Sequence, residues 1–82
     1  MKIPRDLSAG DLEKALRRTF DYQFSRQVGS HRRLTSTQSG SQHHITIPVH
    51  DPLKPGTLRA ILGEVALHRD LSLQEVLLKL AL

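Results

Sequence analysis

The spacing of apolar residues changes twice along this chain, and the resulting order of elements constrains the fold more than any other feature. Apolar residues near the N-terminus recur three and four positions apart, as on one face of an α-helix. In the middle of the chain they alternate with polar residues, as in a strand with one buried face. The helical spacing returns after residue 56. Because the chain has 82 residues, we expect a single domain, residues 1–82, in which these elements share one core.

The first helix is predicted to begin after Ser8 and to end near Thr19. Ser8 and Asp11 have the three-residue spacing of a capping box, with Asp in place of the commoner Glu. The apolar stripe of this helix comprises Leu12, Ala15 and Leu16. A helix with one such stripe must cover a second apolar surface, which the following strands can provide.

Three antiparallel strands are predicted to follow the helix. The first is indicated by aromatic residues that alternate with polar ones and would face the core: Phe20, Tyr22 and Phe24. A turn at Gly29 and Ser30 leads into the second strand, from about His31 to Thr37. A second turn, over residues 39–42, precedes the third strand. That strand is expected from His44 to Val49, with three residues on one face: Ile45, Ile47 and Val49.

Two helices are predicted to complete the domain. The loop from Asp51 to Gly56 is rich in proline, and the residues after it have the spacing of a buried helix face: Leu58, Ile61, Leu62 and Val65. A short last helix is expected to start at Ser72, where Glu75 completes a capping box. Each helix has one apolar stripe, so all of them should cover the same face of the sheet. The prediction is an α+β fold of order helix, three strands, helix, short helix, with the other sheet face open.

The charges of the chain are unevenly distributed. Lys and Arg number 12 and Asp and Glu number 8, which gives a formal net charge of +4. No acidic residue occurs from Tyr22 to His50, whereas three arginines and four of the five histidines do. This balance favours a polyanionic partner, and nucleic acid is the leading candidate because the guanidinium group suits phosphate.

Several other classes of site are disfavoured. There are no cysteines, which excludes disulfides, thiolate zinc sites and cysteine nucleophiles. His43 and His44 are adjacent in a predicted strand and should face opposite sides, so we expect no metal site and no cofactor. The apolar runs are far shorter than the ~20 residues that span a bilayer, and no signal segment is evident. We expect a cytoplasmic protein without a membrane partner.

The candidate site is the basic segment around the first predicted turn, residues 26–33. It contains His31, at the start of a strand, and three arginines: Arg26, Arg32 and Arg33. Because Leu34 should face inward, alternation places Arg33 and His31 on the open face and Arg32 near the edge. A neutral imidazole can act there as a general base. On composition alone, an exposed basic hairpin without catalytic function is the favoured interpretation.

Further positions outside this segment also have candidate roles. Lys54 precedes a predicted helix, and a helix N-terminus beside a lysine attracts phosphate, although an ordinary helix entry explains these residues equally well. His50 follows the third strand and is a candidate proton donor, whereas a histidine hydrogen-bonded to backbone is the commoner role. His68, late in a helix, is interpreted as structural.

Four segments together resemble the HicA-type (YcfA-like) toxins. They are Lys2–Ser8, Arg26–Leu34, Thr46–His50 and Leu53–Leu62, in the family's order and at compatible spacings. The resemblance covers nearly the whole chain. It implies a double-stranded-RNA-binding-domain-like (dsRBD-like) fold of order α-β-β-β-α, in agreement with the periodicity.

The resemblance also implies an activity. Members of this family are mRNA interferases, endoribonucleases that cleave transcripts and halt translation, and a HicB antitoxin neutralises them. The family's catalytic histidine, which follows a Gly-Ser pair, corresponds to His31. We therefore expect mRNA as substrate and a HicB-type antitoxin as partner in a hetero-oligomer. RNA contacts are expected from Arg26, Ser30, Arg32, Arg33 and Lys54.

The expected mechanism is metal-independent RNA cleavage. His31 would remove the proton of a ribose 2′-hydroxyl, and the arginines would stabilise the charge that develops on the phosphate. The group that protonates the leaving oxygen stays open between His50, His44 and water. A non-catalytic double-stranded-RNA-binding module is the alternative function. A small DNA-binding domain that reads a groove with its second helix ranks third.

Overall fold

A computed structural model describes residues 3–37 and 40–82 of the chain. The described residues form three helices and a three-stranded antiparallel sheet of order β1-β2-β3. The elements are α1 (Ala9–Phe20), β1 (Gln23–Val28), β2 (His31–Ser36), β3 (His43–Pro48), α2 (Pro55–Arg69) and α3 (Leu73–Leu80). The predicted α+β class and dsRBD-like order are confirmed. Lys2 of the first matching segment and Ser39 of the second predicted turn lie outside the described residues.

Helix α1 starts where predicted and ends later than expected. The Ser8 hydroxyl accepts a hydrogen bond from the Asp11 backbone N–H at 3.0 Å, which caps the first turn. The helix runs through Phe20 and stops at Asp21, whose φ of 57° is left-handed. Phe20 lies four residues after Leu16 and continues the buried stripe of the helix. The prediction that Phe20 belongs to the first strand is therefore wrong.

Strand β1 differs most from the prediction. All six of its residues are exposed, and Phe24, expected in the core, is 44% exposed. Tyr22 is buried as predicted, but it precedes the strand. The register shift between Phe24 and Arg26 distinguishes β1 from β3, the other edge strand, and disturbs the alternation on which the prediction relied. The sheet side of the core is consequently built on β2 and β3.

The core lies between one face of the sheet and the three helices. Its sheet side consists of Leu34, Ile45 and Ile47, each at most 2% exposed. The helix residues packed in the same cluster include Leu12, Leu16, Leu58, Leu62, Val65, Val76 and Leu80. Val49, predicted on the buried face, is largely exposed because β3 ends at Pro48. None of the helices in the described part of the chain has the length and apolar character needed to cross a membrane.

The hairpin between β1 and β2 depends on Gly29. Its φ of 58° lies in the left-handed region, which glycine adopts without steric cost. A glycine at the first central position of a two-residue loop is typical of a type II′ turn, whose twist suits antiparallel strands. The Val49 N–H donates to the Ser30 carbonyl at 2.7 Å and so holds the turn against the end of β3. The turn thereby fixes the position of His31, the first residue of β2.

The predicted start of α3 is also confirmed. The Glu75 N–H donates to the Ser72 hydroxyl at 3.1 Å, and the Ser72 N–H donates to the Glu75 carboxylate at 3.0 Å. This reciprocal pair is a capping box, and it satisfies two donors that a helix start leaves free. The hydrogen bond from the Ser72 N–H to the carboxylate, followed by the interaction with the Ser72 hydroxyl, lowers the pKa of Glu75.

Candidate nucleic-acid interface

The outward side chains of the sheet form three rows. Strand pairing places residues of neighbouring strands directly opposite each other on the same face. We call this surface the open face, and its rows are Val28–His31–Pro48, Arg26–Arg33–Thr46 and Gln23–Thr35–His44. The helices pack against the other side of the sheet, on which Leu34 and Ile45 are buried.

A shallow cavity of about 340 Å³ lies on the open face. Side chains from all three strands line it: Arg26, Val28, His31, Arg33, His44 and Thr46. The structure thus brings His31 together with two of the three arginines of the basic segment. A larger cavity of about 670 Å³ lies elsewhere, between the residues before α1, the start of α2 and Leu82. No strand residue lines that larger cavity.

Arg26 and Arg33 are direct cross-strand neighbours on the open face. Like charges in this position repel, since opposite side chains have Cβ atoms only ~5 Å apart. Among the described residues, neither guanidinium has a hydrogen bond or an ion pair with another side chain. The three rows also contain no carboxylate. An anion bound between the two groups would relieve their repulsion, so the pair suits a phosphate.

His31 is exposed in the row next to these arginines. Alternate residues of a strand are separated by ~6.8 Å, so a phosphate held by Arg26 and Arg33 lies beside the imidazole. A neutral imidazole at that position can accept a proton from a group attached to the phosphate. The arrangement therefore combines a proton acceptor with two fixed positive charges.

Arg32 lies on the other side of the sheet from His31, and not at the sheet edge, because β2 is the central strand. Its guanidinium donates two hydrogen bonds to the Glu13 carboxylate of α1, at 2.7 and 3.0 Å. It donates another to the Gln27 amide oxygen at 3.0 Å and stacks 4.2 Å above the centre of the Phe24 ring. The hydrogen bond with Glu13 raises the pKa of Arg32. Arg32 therefore connects β2 to α1 and does not line the cavity.

Three other residues proposed from the sequence also lie outside the lining of this cavity. Ser30 occupies the turn immediately before His31. His50 is exposed and follows Pro48, the direct partner of His31, and its backbone N–H donates to the Pro48 carbonyl at 2.9 Å. Lys54 is exposed at the N-cap of α2 and makes no side-chain capping hydrogen bond.

The sequence indicated two residues of the cavity, Thr46 and His44, only incompletely. Thr46 was not predicted as a site residue, although its position between two buried isoleucines could have placed it on the open face. His44 was considered only as one source of a proton. It lines the cavity with its Nδ1 2.8 Å from the Thr35 hydroxyl. That contact depends on the register of β2 against β3, which the sequence does not reveal.

His43 faces the helices, opposite to His44. Its ring stacks on that of His68 with the centroids 4.3 Å apart, and its Nδ1 lies 2.8 Å from the Tyr22 hydroxyl. Burial, followed by the neighbouring His68, lowers the pKa of His43, whereas burial raises that of Tyr22. In the described segments no three side chains of metal-binding type come together. The two adjacent histidines thus have separate environments, His43 against His68 and Tyr22 and His44 on the open face.

The segment that contains α1, the three strands and most of α2 corresponds to a known protein family. The family model described as "HicA toxin of bacterial toxin-antitoxin" matches residues 9–67, more than half of the chain, from α1 through most of α2. No curated protein and no solved structure matches the chain significantly. On the family match, the chain belongs to the HicA toxin family of bacterial toxin-antitoxin systems.

Proposed function

We propose that this toxin is an endoribonuclease, an mRNA interferase, that works without a metal ion. The observation that carries the proposal is the grouping of His31 with Arg26 and Arg33 in one cavity of the open face. The three rows offer imidazole and guanidinium groups and no carboxylate, the ligand type that Mg²⁺ prefers. Such groups suit a reaction that proceeds by proton transfer and charge stabilisation.

In the proposed reaction, His31 accepts the proton of a ribose 2′-hydroxyl. The 2′-oxygen attacks the adjacent phosphorus, the bond to the 5′-oxygen of the next nucleotide breaks, and a 2′,3′-cyclic phosphate forms. Arg26 and Arg33 bind the phosphate oxygens and stabilise the charge that develops on them. For the proton taken up by the departing 5′-oxygen we propose His50, because it lies two residues after Pro48, the direct partner of His31 on β3. DNA lacks the 2′-hydroxyl and is not a substrate of this reaction.

Ser30 and Lys54 are proposed to add RNA contacts at the margin of the site. The Ser30 hydroxyl is adjacent in sequence to His31, and Lys54 stands at a helix N-terminus, where free N–H groups attract phosphate. Arg32 does not contact RNA in this proposal, because Glu13 and Gln27 already accept its hydrogen bonds.

We further propose that the antitoxin partner implied by the family is of HicB type and covers the open face. An acidic surface placed there would neutralise Arg26 and Arg33 and exclude RNA from His31. The resulting hetero-oligomer is inactive. Adding the antitoxin to a cleavage reaction should therefore stop RNA cleavage once there is one antitoxin binding site for each toxin molecule. Continued cleavage by a stable complex of the two proteins would contradict coverage of the site.

The test of the function is RNA cleavage by wild-type protein and by His31→Ala, with and without EDTA. Lys79→Ala serves as the control, because it removes an exposed cation from α3 rather than from the sheet. Wild type and the control should leave cyclic or 3′-phosphate ends in EDTA, and His31→Ala should not cleave. Because His31 is exposed, that variant should remain folded.

Three results would contradict parts of this proposal. Cleavage by His31→Ala would show that His31 is not the base. Inhibition by EDTA would exclude the metal-independent reaction. RNA binding without cleavage by wild type would favour a non-catalytic RNA-binding module.

A further inference from the structure

The third row of the open face carries a histidine that the proposed cleavage does not use. His44 lies opposite Thr35, one row beyond Arg33 and Thr46, and it lines the same cavity as His31. A second imidazole in this cavity has two potential uses: proton transfer at the cleaved phosphate, or binding of a neighbouring part of the RNA. The spacing of the rows, together with the contact between His44 and Thr35, favours binding of a neighbouring phosphate.

The spacing along the sheet places the next phosphate of the strand, rather than the cleaved one, in the row of His44. His31 and Thr35 are four residues apart on β2, a separation of ~13 Å between their rows, and His44 pairs with Thr35. Side chains stand roughly perpendicular to a sheet, so the cleaved phosphate, held in the middle row by Arg26 and Arg33, lies one row from each imidazole, and a phosphate one step further along lies directly over His44. Each row is one two-residue step from the next, a repeat comparable to that of successive phosphates along an extended nucleic-acid strand.

The hydroxyl of Thr35 orients the His44 ring. Its Oγ1 lies 2.8 Å from Nδ1 of His44. When the hydroxyl donates to Nδ1, the proton of the neutral imidazole resides on Nε2, which becomes a hydrogen-bond donor. His44 is exposed, so this N–H is accessible to a phosphate oxygen.

Glu64 of α2 bounds this surface at the edge of β3. His44 also lines a second cavity, of about 380 Å³, together with Glu64 of α2. A carboxylate disfavours an additional phosphate next to it. A nucleic-acid strand is therefore favoured on the side of His44 that faces Arg33 and Thr46, rather than across the β3 edge toward Glu64.

We propose that His44, oriented by Thr35, binds the phosphate adjacent to the one that is cleaved, an inference that rests on the proposed ribonuclease activity. The RNA strand runs along β2 and β3 from His31, past Arg33 and Thr46, to His44. His44 is a binding residue in this arrangement, and His31 alone acts as the base.

The test combines a change in the protein with a change in the RNA. An oligonucleotide whose cleaved bond has been mapped with wild type is made in versions that carry one uncharged methylphosphonate at a neighbouring phosphate. For one version, kcat/KM of wild type should fall about tenfold, the size expected for one hydrogen bond to a charged group. His44→Ala should lose a similar factor on unmodified RNA and nothing further on that version.

Two additional variants sharpen the test. Thr35→Val keeps the branched side chain and removes the hydroxyl, so it should show part of the His44→Ala loss with the same dependence on the methylphosphonate position. Lys79→Ala should behave as wild type on every version.

The remaining outcomes overturn the proposal. If the loss in kcat/KM from His44→Ala were independent of the methylphosphonate loss at every neighbouring phosphate, a phosphate subsite at His44 would be excluded. The absence of any loss in His44→Ala would exclude it as well. A loss as complete as that of His31→Ala would make His44 a catalytic residue. If wild type does not cleave the unmodified oligonucleotide, the proposed function itself fails and the subsite falls with it.

Discussion

Arg32 and Arg33 are consecutive residues of β2, yet their surroundings differ completely. Arg32 lies on the helix side, where Glu13 and Gln27 accept its hydrogen bonds. Arg33 lies on the open face opposite Arg26 and, within the described residues, has no ion pair with a carboxylate. The pleat of the strand sends neighbouring side chains to opposite faces. In this sheet, Arg32 on the helix-covered face stabilises the fold, whereas Arg26 and Arg33 on the open face are available to bind a ligand.

The largest expected effect is the loss of catalysis in Arg33→Gln. Removing one group that stabilises the developing charge should lower kcat for RNA cleavage by about 100-fold. The thermal midpoint should stay the same or rise slightly, because the substitution also removes the repulsion with Arg26. Steady-state kinetics on a defined RNA and thermal unfolding measure the two effects. If unfolding of Arg33→Gln fully explained its loss of cleavage, the assignment of function to the open face and of stability to the helix-covered face would be wrong.

Arg32→Gln should show the opposite pattern. The substitution removes the two hydrogen bonds with Glu13, so Tm should fall by several degrees. Cleavage per folded molecule should stay within about twofold of wild type, because the changed group lies outside the cavity. Glu13→Gln should reproduce the stability loss by taking the carboxylate from the same pair. If Arg32→Gln lost catalysis as Arg33→Gln does, the comparison would be wrong.

His43 and His44 allow the same comparison of the two faces through the pH dependence of stability. Burial and His68 lower the pKa of His43 below its ordinary value of 6.5 in the folded protein. The unfolded chain then binds more protons than the folded one as pH falls below about 6.5, so acidification destabilises the fold. Wild type should lose more Tm between about pH 7.5 and about pH 5.5 than His43→Gln does.

His44→Gln is the matched control for that titration, because it removes an imidazole from the open face. Thermal unfolding at both pH values measures all three proteins. An equal decrease of the pH dependence in the two variants would contradict the assignment of the effect to His43.

The smallest expected effect concerns Phe24. Its ring lies under the Arg32 guanidinium but is half-exposed on the edge strand. Phe24→Leu keeps an apolar side chain and loses the cation–π contact, so Tm should fall by less than in Arg32→Gln, with no change in cleavage. Thermal unfolding of the two variants side by side makes the comparison. A larger loss in Phe24→Leu would mean that the ring, rather than Glu13, holds Arg32 in place.

The order of the elements is predictable from the sequence because the two hydrophobic periods are distinct over most of the chain. The prediction fails at Phe20, which lies four residues after Leu16 and two before Tyr22, so it satisfies the helical and the strand period at once. It fails again at Phe24, since alternation does not reveal that β1 is an edge strand with a register shift.

The candidate site is predictable in part for the same reason. Alternation from Leu34 correctly places Arg33 and His31 on one face. It cannot identify Glu13 as the partner of Arg32, because that contact joins residues 19 apart in sequence on different elements. Alternation also does not predict that His44 lies beside Thr35, because that contact depends on the register between β2 and β3.

The central claim is that the open face cleaves RNA through the ribose 2′-hydroxyl at a phosphate held beside His31. It is tested most directly with an RNA oligonucleotide that carries a single 2′-deoxyribose at the mapped cleavage position. Wild type should fail to cut that bond while cutting other susceptible bonds of the same strand at normal rates. Cleavage at the deoxyribose, whatever ends it leaves, would contradict the claim.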